Sequence, residues 1–199
     1  MRLNSLLGST LLLLAASSTT ATAGGLGIIG AGGMYGTKAY YYDAKGEQSI
    51  DSQMRPNGGI GVEGVLGASD DRIVGIMRVL LLSDAPPALP DTGDLDASEV
   101  TTPAYDELTW SSKGVMQVGV QWGVYGDPEG LQLVIDSMVG TGFLTKDNTE
   151  YLLLDVGPGV TWNMSERVQL TGELSASMRV RKGLSMGGNA YLGVRYLFD

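Results

Sequence analysis

Apolar and polar residues alternate one by one along most of the chain beyond residue 24, a period that belongs to strands and not to helices. In Val168–Val180 the residues Val168, Leu170, Gly172, Leu174, Ala176, Met178 and Val180 share one face, and Gln169, Thr171, Glu173, Ser175, Ser177 and Arg179 share the other. Met116, Val118, Val120, Trp122 and Val124 alternate with Gln117, Gly119, Gln121 and Gly123. Ala190, Leu192, Val194, Tyr196 and Phe198 alternate with Asn189, Tyr191, Gly193 and Arg195. Leu152, Leu154, Val156, Val160 and Trp162 alternate with Leu153, Asp155, Gly157 and Thr161, with Pro158 on the apolar side. Leu131, Leu133, Ile135 and Val139 oppose Gln132, Asp136 and Gly140, and Ile60, Val62 and Leu66 oppose Gly61, Glu63 and Gly67. Ile73, Met77, Val79 and Leu81 oppose Arg78, which leaves Val74 and Ile76 on the polar side. A first strand near 26–42 is rich in glycine, and Lys38 is the only guide to its facing.

Eight strands follow, and their connections differ by end. Residues 43–57, 83–108, 145–149 and 182–186 read as the longer loops, whereas 69–70, 126–129 and 163–166 read as tight turns. The predicted fold is all-β: an eight-stranded antiparallel up-and-down barrel with short turns and both termini at one end. Long loops at one end and short turns at the other is the layout of a transmembrane barrel.

Residues 1–23 stand apart from the pattern. Arg2, the apolar run 6–16 and Ala21-Thr22-Ala23 before Gly24 have the order of a secretory signal peptide. The apolar run is too short to cross a bilayer as a helix. The expected organisation is a signal peptide over 1–23 and one barrel domain over 24–199. Arg2 is the only charge in the first part, so cleavage takes the formal net charge of −9 one unit lower.

Which face meets which medium separates two kinds of barrel. A water-soluble, lipocalin-like barrel turns a charged face outward; here the polar face is mainly Gly, Ser, Thr and Gln, residues that suit a narrow interior. Its charges are Lys38, Arg78, Arg179 and Arg195 against Glu63, Asp136, Asp155 and Glu173. Unpaired charges inside a narrow barrel would cost several kcal/mol each, so a paired interior network is expected. Aromatic residues are expected in two girdles on the apolar face. Trp122, Trp162, Tyr196 and Phe198 fall near the short-turn end, and Tyr40, Tyr41, Tyr42, Trp110, Phe143 and Tyr151 near the other.

With these strands and girdles, the segment 24–199 resembles the small eight-stranded outer-membrane barrels of the OmpA/OmpX type. The final strand, Tyr191-Leu192-Gly193-Val194-Arg195-Tyr196-Leu197-Phe198, is similar to the terminal signal read by the barrel-assembly machinery, with Asp199 added after the aromatic residue. The resemblance implies an outer-membrane location in a Gram-negative cell, contact with outer-membrane lipid, and a structural or surface-interaction role. A narrow channel for ions or small solutes is the alternative.

The chain has no cysteine and no histidine, which removes thiolate chemistry and the commonest general base. Outer-membrane barrel enzymes that act on lipid or peptide resemble one another in using histidine, so no catalytic residue and no cofactor is expected. The acidic balance argues against a nucleic-acid partner. Gly25-x-Gly27-x-x-Gly30 has the spacing of a dinucleotide fingerprint but leads into no helix, and Gly183-Leu184-Ser185-Met186-Gly187 has the spacing of a nucleophile elbow without a base. Both read as strand and hairpin glycines. Residues 83–108 hold Pro86, Pro87, Pro90 and Pro103, seven acidic residues and no basic one, and read as a solvated loop that presents a surface for an envelope or surface partner. Within it, Asp91, Asp94, Asp96 and Glu99 are a weak set of hard oxygen ligands for Ca²⁺, off the EF-hand spacing.

Overall fold

Each alternating segment is a strand in the computed structural model, which describes residues 23–42, 48–68, 71–84, 114–143, 151–180 and 184–198, and side chains among these except at 37–42, 48–53, 84 and 143. In chain order the strands are β1 (Gly24–Tyr42), β2 (Gln48–Leu66), β3 (Ile73–Asp84), β4 (Gly114–Gly126), β5 (Leu131–Phe143), β6 (Tyr151–Ser165), β7 (Val168–Val180) and β8 (Leu184–Phe198). Every strand pairs antiparallel with its sequence neighbour, and β8 pairs back onto β1 from Gly24↔Phe198 to Tyr35↔Gly187. The result is a closed eight-stranded antiparallel barrel with no free edge where β1 and β8 meet.

One expectation is corrected at the first hairpin. Residues 43–57 were to form a long loop, but β2 begins at Gln48 and continues the ladder with β1 from Tyr42↔Gln48 to Gly33↔Asn57. Its polar composition and Pro56 mimic a loop. Among the described residues β3 pairs with β2 only from Asn57, so Pro56 occupies an edge-like position where a missing N–H is tolerated. Similarly β3 runs to Asp84 and β8 starts at Leu184, which shortens the loops expected there. Pro158 stays within β6, facing out, and the β6–β7 ladder skips from Val156↔Ala176 to Gly159↔Glu173 around it.

The short-turn end is shaped by local chemistry. Gly126, with φ 101°, lies in the left-handed region that favours glycine. Asp127 Oδ1 accepts from the Glu129 backbone N–H at 3.0 Å, an Asx turn. Bulges break the register between Gly123 and Tyr125 and between Asn163 and Ser165, close to the rim where bulges terminate pairing.

The barrel is inside-out relative to a water-soluble domain. Outward residues such as Ile28 and Leu192 are each 72 % exposed, while the inward Arg78, Asp136 and Asp155 are each 0 % exposed. The interior is less uniformly polar than expected. Ile29, Leu80, Leu82, Val115 and Leu153 form an apolar cluster there with Tyr151 and Tyr191.

Candidate functional site

The buried charged side chains enter the lumen from the strands in register. Glu63 on β2 stands opposite Arg78 on β3, and Gly27 on β1 stands opposite both Glu63 and Arg195 on β8. Arg78 Nε donates to Glu63 Oε2 at 2.5 Å, and Arg195 Nε donates to Glu63 Oε1 at 2.6 Å. One carboxylate thus bridges two guanidinium groups. Arg78 also reaches across the barrel, its Nη2 lying 2.7 Å from Glu173 Oε2 on β7 and 4.0 Å from Asp136 Oδ2 on β5. The Glu173 contact is an ion pair that falls off the hydrogen-bonding direction. Arg195 Nη1 donates to Gln121 Oε1 at 3.1 Å and Gln169 Oε1 at 2.8 Å. Gln169 Nε2 donates to Asn163 Oδ1, whose amide donates to the Pro128 carbonyl in the short turn, both at 2.8 Å. The charged tier is therefore tied to the short-turn rim.

A second tier is built on Asp155 of β6. It accepts from Gln117 Nε2 at 2.6 Å, from Tyr191 Oη at 2.8 Å and from Ser177 Oγ. Asn189 Nδ2 lies within 2.6 Å of Tyr35 Oη, 2.8 Å of Ser177 Oγ and 3.0 Å of Tyr191 Oη. The two tiers meet where the Arg78 guanidinium carbon lies 4.8 Å from the centroid of the Tyr191 ring. Toward the other end the Arg179 guanidinium lies 3.5 Å from the Tyr35 ring centroid and 5.2 Å from that of Tyr151. A guanidinium against an aromatic face keeps favourable electrostatics without water.

Of the eight expected network charges, Glu63, Arg78, Asp136, Glu173 and Arg195 come together. Asp155 and Arg179 occupy the second tier and reach the first through Tyr191 and Tyr35. Lys38 lies in β1 with its side chain outside the described set. Sequence reasoning passed over Tyr35, Gln117, Asn189 and Tyr191 as partners, although alternation already placed Gln117, Asn189 and Tyr191 on the polar face. Arg55, buried at 5 % exposure, was hidden in the stretch read as a loop. With it the described interior holds four arginines, Arg55, Arg78, Arg179 and Arg195, against four carboxylates, Glu63, Asp136, Asp155 and Glu173.

The aromatic girdles are corrected in one member. Tyr151 points inward and is 2 % exposed. Its register partner is Gly142, and a Cβ there would run into the Tyr151 ring, so the glycine makes the room that draws the ring inside. Trp122, Trp162, Tyr196 and Phe198 all face outward near the short-turn end, joined by Tyr125. Tyr40, Tyr41, Tyr42 and Phe143 lie in strands with side chains outside the described set, and Trp110 lies outside the described residues, as do Asp91, Asp94, Asp96 and Glu99, Gly183, and most of the expected signal peptide.

No protein-family model matches the chain, and no curated protein matches it either. The site is therefore read from its own geometry. Packed side chains linked by ion pairs and hydrogen bonds can hold the strands at fixed positions, although the carboxylate oxygens of Asp136 and Glu173 accept no hydrogen bond from the described residues. Among the described residues no cluster of His, Cys, Asp or Glu is arranged to hold a metal ion.

Proposed function

We propose that the chain is an integral outer-membrane β-barrel with a structural or surface-interaction role and no catalytic function. It anchors in lipid and presents the acidic, Pro-rich segment 85–113 outside the cell. The observation that carries this reading is the inverted wall. Large apolar side chains from all eight strands are exposed on the outside, far beyond the few hundred Å² that a soluble monomer tolerates. Lipid is the solvent in which such a wall is stable, and closed barrels are one of two structures that cross it with every backbone group paired. The shorter strands, 12 to 15 residues, exceed the roughly 9–11 needed to span.

The C-terminal strand β8 closes the barrel against β1 and is the segment offered to the assembly machinery. The packed interior supports a plug and not a path, since Arg78, Asp136 and Asp155 have no exposed surface. The test is fractionation of cells expressing the full chain, with SDS gels run before and after boiling. Recovery in the outer membrane with faster migration of the unboiled form is expected. Recovery as a soluble periplasmic protein would overturn the reading.

A further inference from the structure

The outer wall is not the same all the way round. On β3 to β6 the outward positions are mostly bulky, with Gly75 and Gly114 as the glycines among them. On β2, β1, β8 and β7 they include Gly58, Gly30, Gly32, Gly188 and Gly172. The barrel's own packing does not require glycine at several of these. A Cβ at Gly30 would come no nearer than 3.8 Å to another atom, and one at Gly32 no nearer than 4.0 Å. Inward glycines differ, since a Cβ at Gly59 or Gly61 would run into the backbone of β3. The smooth sector lies beside an open apolar groove of about 1130 Å³, whose lining includes Leu26, Ile28, Gly30, Leu170, Leu192 and Tyr196.

The groove's short-turn end carries a charge. Arg167, exposed in the β6–β7 turn, donates from Nη1 to Tyr196 Oη at 3.3 Å. Among the described residues no carboxylate pairs with it. From Tyr196 to Ala190 the wall rises six residues, roughly 20 Å along the strand. At a tilt of about 45° that is roughly 14 Å of depth, close to the ~15 Å of hydrocarbon in one leaflet. We propose that this groove holds a phospholipid, its acyl chains laid over Gly30 between β7 and β2 and its phosphate on Arg167 and Tyr196.

The inference rests on the membrane reading above. Lipid tails are as apolar as the wall, so the hydrophobic effect does not distinguish this lipid from its neighbours. Retention comes from the fit of chains over Gly30 between the side chains of Ile28, Leu170 and Leu192 and from the guanidinium–phosphate contact, which is charge-assisted and well matched in shape. Charge complementarity therefore selects a phosphate-bearing lipid over a neutral one with the same chains.

The experiment uses the chain without its first 23 residues, folded into detergent, with folding scored by the heat-dependent gel shift. Phosphatidylglycerol or diacylglycerol of identical chains is added, and native mass spectrometry counts retained lipids. One phosphatidylglycerol per barrel is expected, with retention roughly tenfold weaker for diacylglycerol, for Arg167→Gln and for Gly30→Leu, which fills the groove. Equal retention of both lipids, no effect of either substitution in folded protein, or cross-linking of a second copy through the groove would overturn the proposal. A chain that never folds into detergent or vesicles defeats the membrane reading; a folded barrel that retains no phosphatidylglycerol defeats this inference alone.

Discussion

Glu63 and Arg195 stand two strands apart and meet across Gly27. Their backbones both register on that residue, and the missing side chain lets Arg195 Nε reach Glu63 Oε1 at 2.6 Å. A Cβ on Gly27 would lie 2.6 Å from the Val194 carbonyl oxygen, 3.0 Å from Arg195 Cγ and 3.2 Å from Arg195 Cα. Gly27→Ala is therefore expected to destabilise the barrel by about 1–3 kcal/mol, the usual cost of overpacking. Gly30→Ala, outward on the same strand, should change stability by less than about 0.5 kcal/mol. Urea unfolding in detergent or lipid compares the two, and equal effects would mean that the close approach at Gly27 is not made.

Arg78 and Glu173 form the contact that spans the lumen. Removing one member leaves the other charge buried, at a cost of roughly 3–5 kcal/mol. In a cycle of Arg78→Met, Glu173→Gln and the double variant, a coupling of about 1–3 kcal/mol is expected by urea unfolding. Arg78 keeps Glu63 when Glu173 is changed, so Glu173→Gln should be the milder single substitution. Strict additivity of two small effects would place the side chains apart.

Strand number, order and facing were legible because a one-residue period leaves two faces that cannot be exchanged without burying the wrong set. The charges Glu63, Arg78, Asp136 and Glu173 were legible as a group for the same reason: each sits on the polar face at a similar distance from the short-turn end. That count also takes in Asp155, which lies in the second tier, and leaves out Arg195, which joins the first. What escaped had physical causes. In the stretch from Gln48 to Asn57 the apolar face of the alternation has only Ile50 and Met54, broken by Ser52 and followed by Pro56, so the alternation is weak there, and Arg55 went with it. Tyr151 is apolar enough for a girdle, and only its register partner Gly142 reveals that the ring fits inside. Tyr35 lies in a strand so rich in glycine that neither face declares itself, although it sits beside Asn189 and Arg179 in space.

Deleting residues 86–104 should leave the barrel intact. The segment is acidic and Pro-rich and can bury little apolar surface. Loop-closure entropy changes by only about 0.6 kcal/mol per doubling of length, so the shorter connection between β3 and β4 costs little and can stabilise slightly. The deletion variant is expected to reach the faster-migrating unboiled form at the wild-type yield. Loss of that form would show that the segment packs as part of the fold.

The interior arrangement also predicts what the barrel does electrically. A lumen of eight strands is just wide enough for side chains to fill, and here guanidinium groups fill two levels of it. Arg78 and Arg195 clasp Glu63 at one level, and Arg179 lies against Tyr35 at the other. An ion crossing this stack would have to part contacts of 2.5 and 2.6 Å between buried charges, and would meet a fixed positive or negative group at each step. The wild-type barrel in a planar bilayer is therefore expected to show no conductance steps above leak. Arg78→Ala combined with Arg195→Ala removes the two longest side chains of the lower tier but leaves Asp155 and Arg179 above, so it should stay silent as well. Adding Arg179→Ala should open measurable steps in whatever fraction still gives the heat-dependent gel shift. Steps in the wild type would favour the narrow channel over the plug. Silence in a folded triple variant would mean that the aliphatic cluster around Leu80, Val115 and Leu153 seals the lumen without help from the charges.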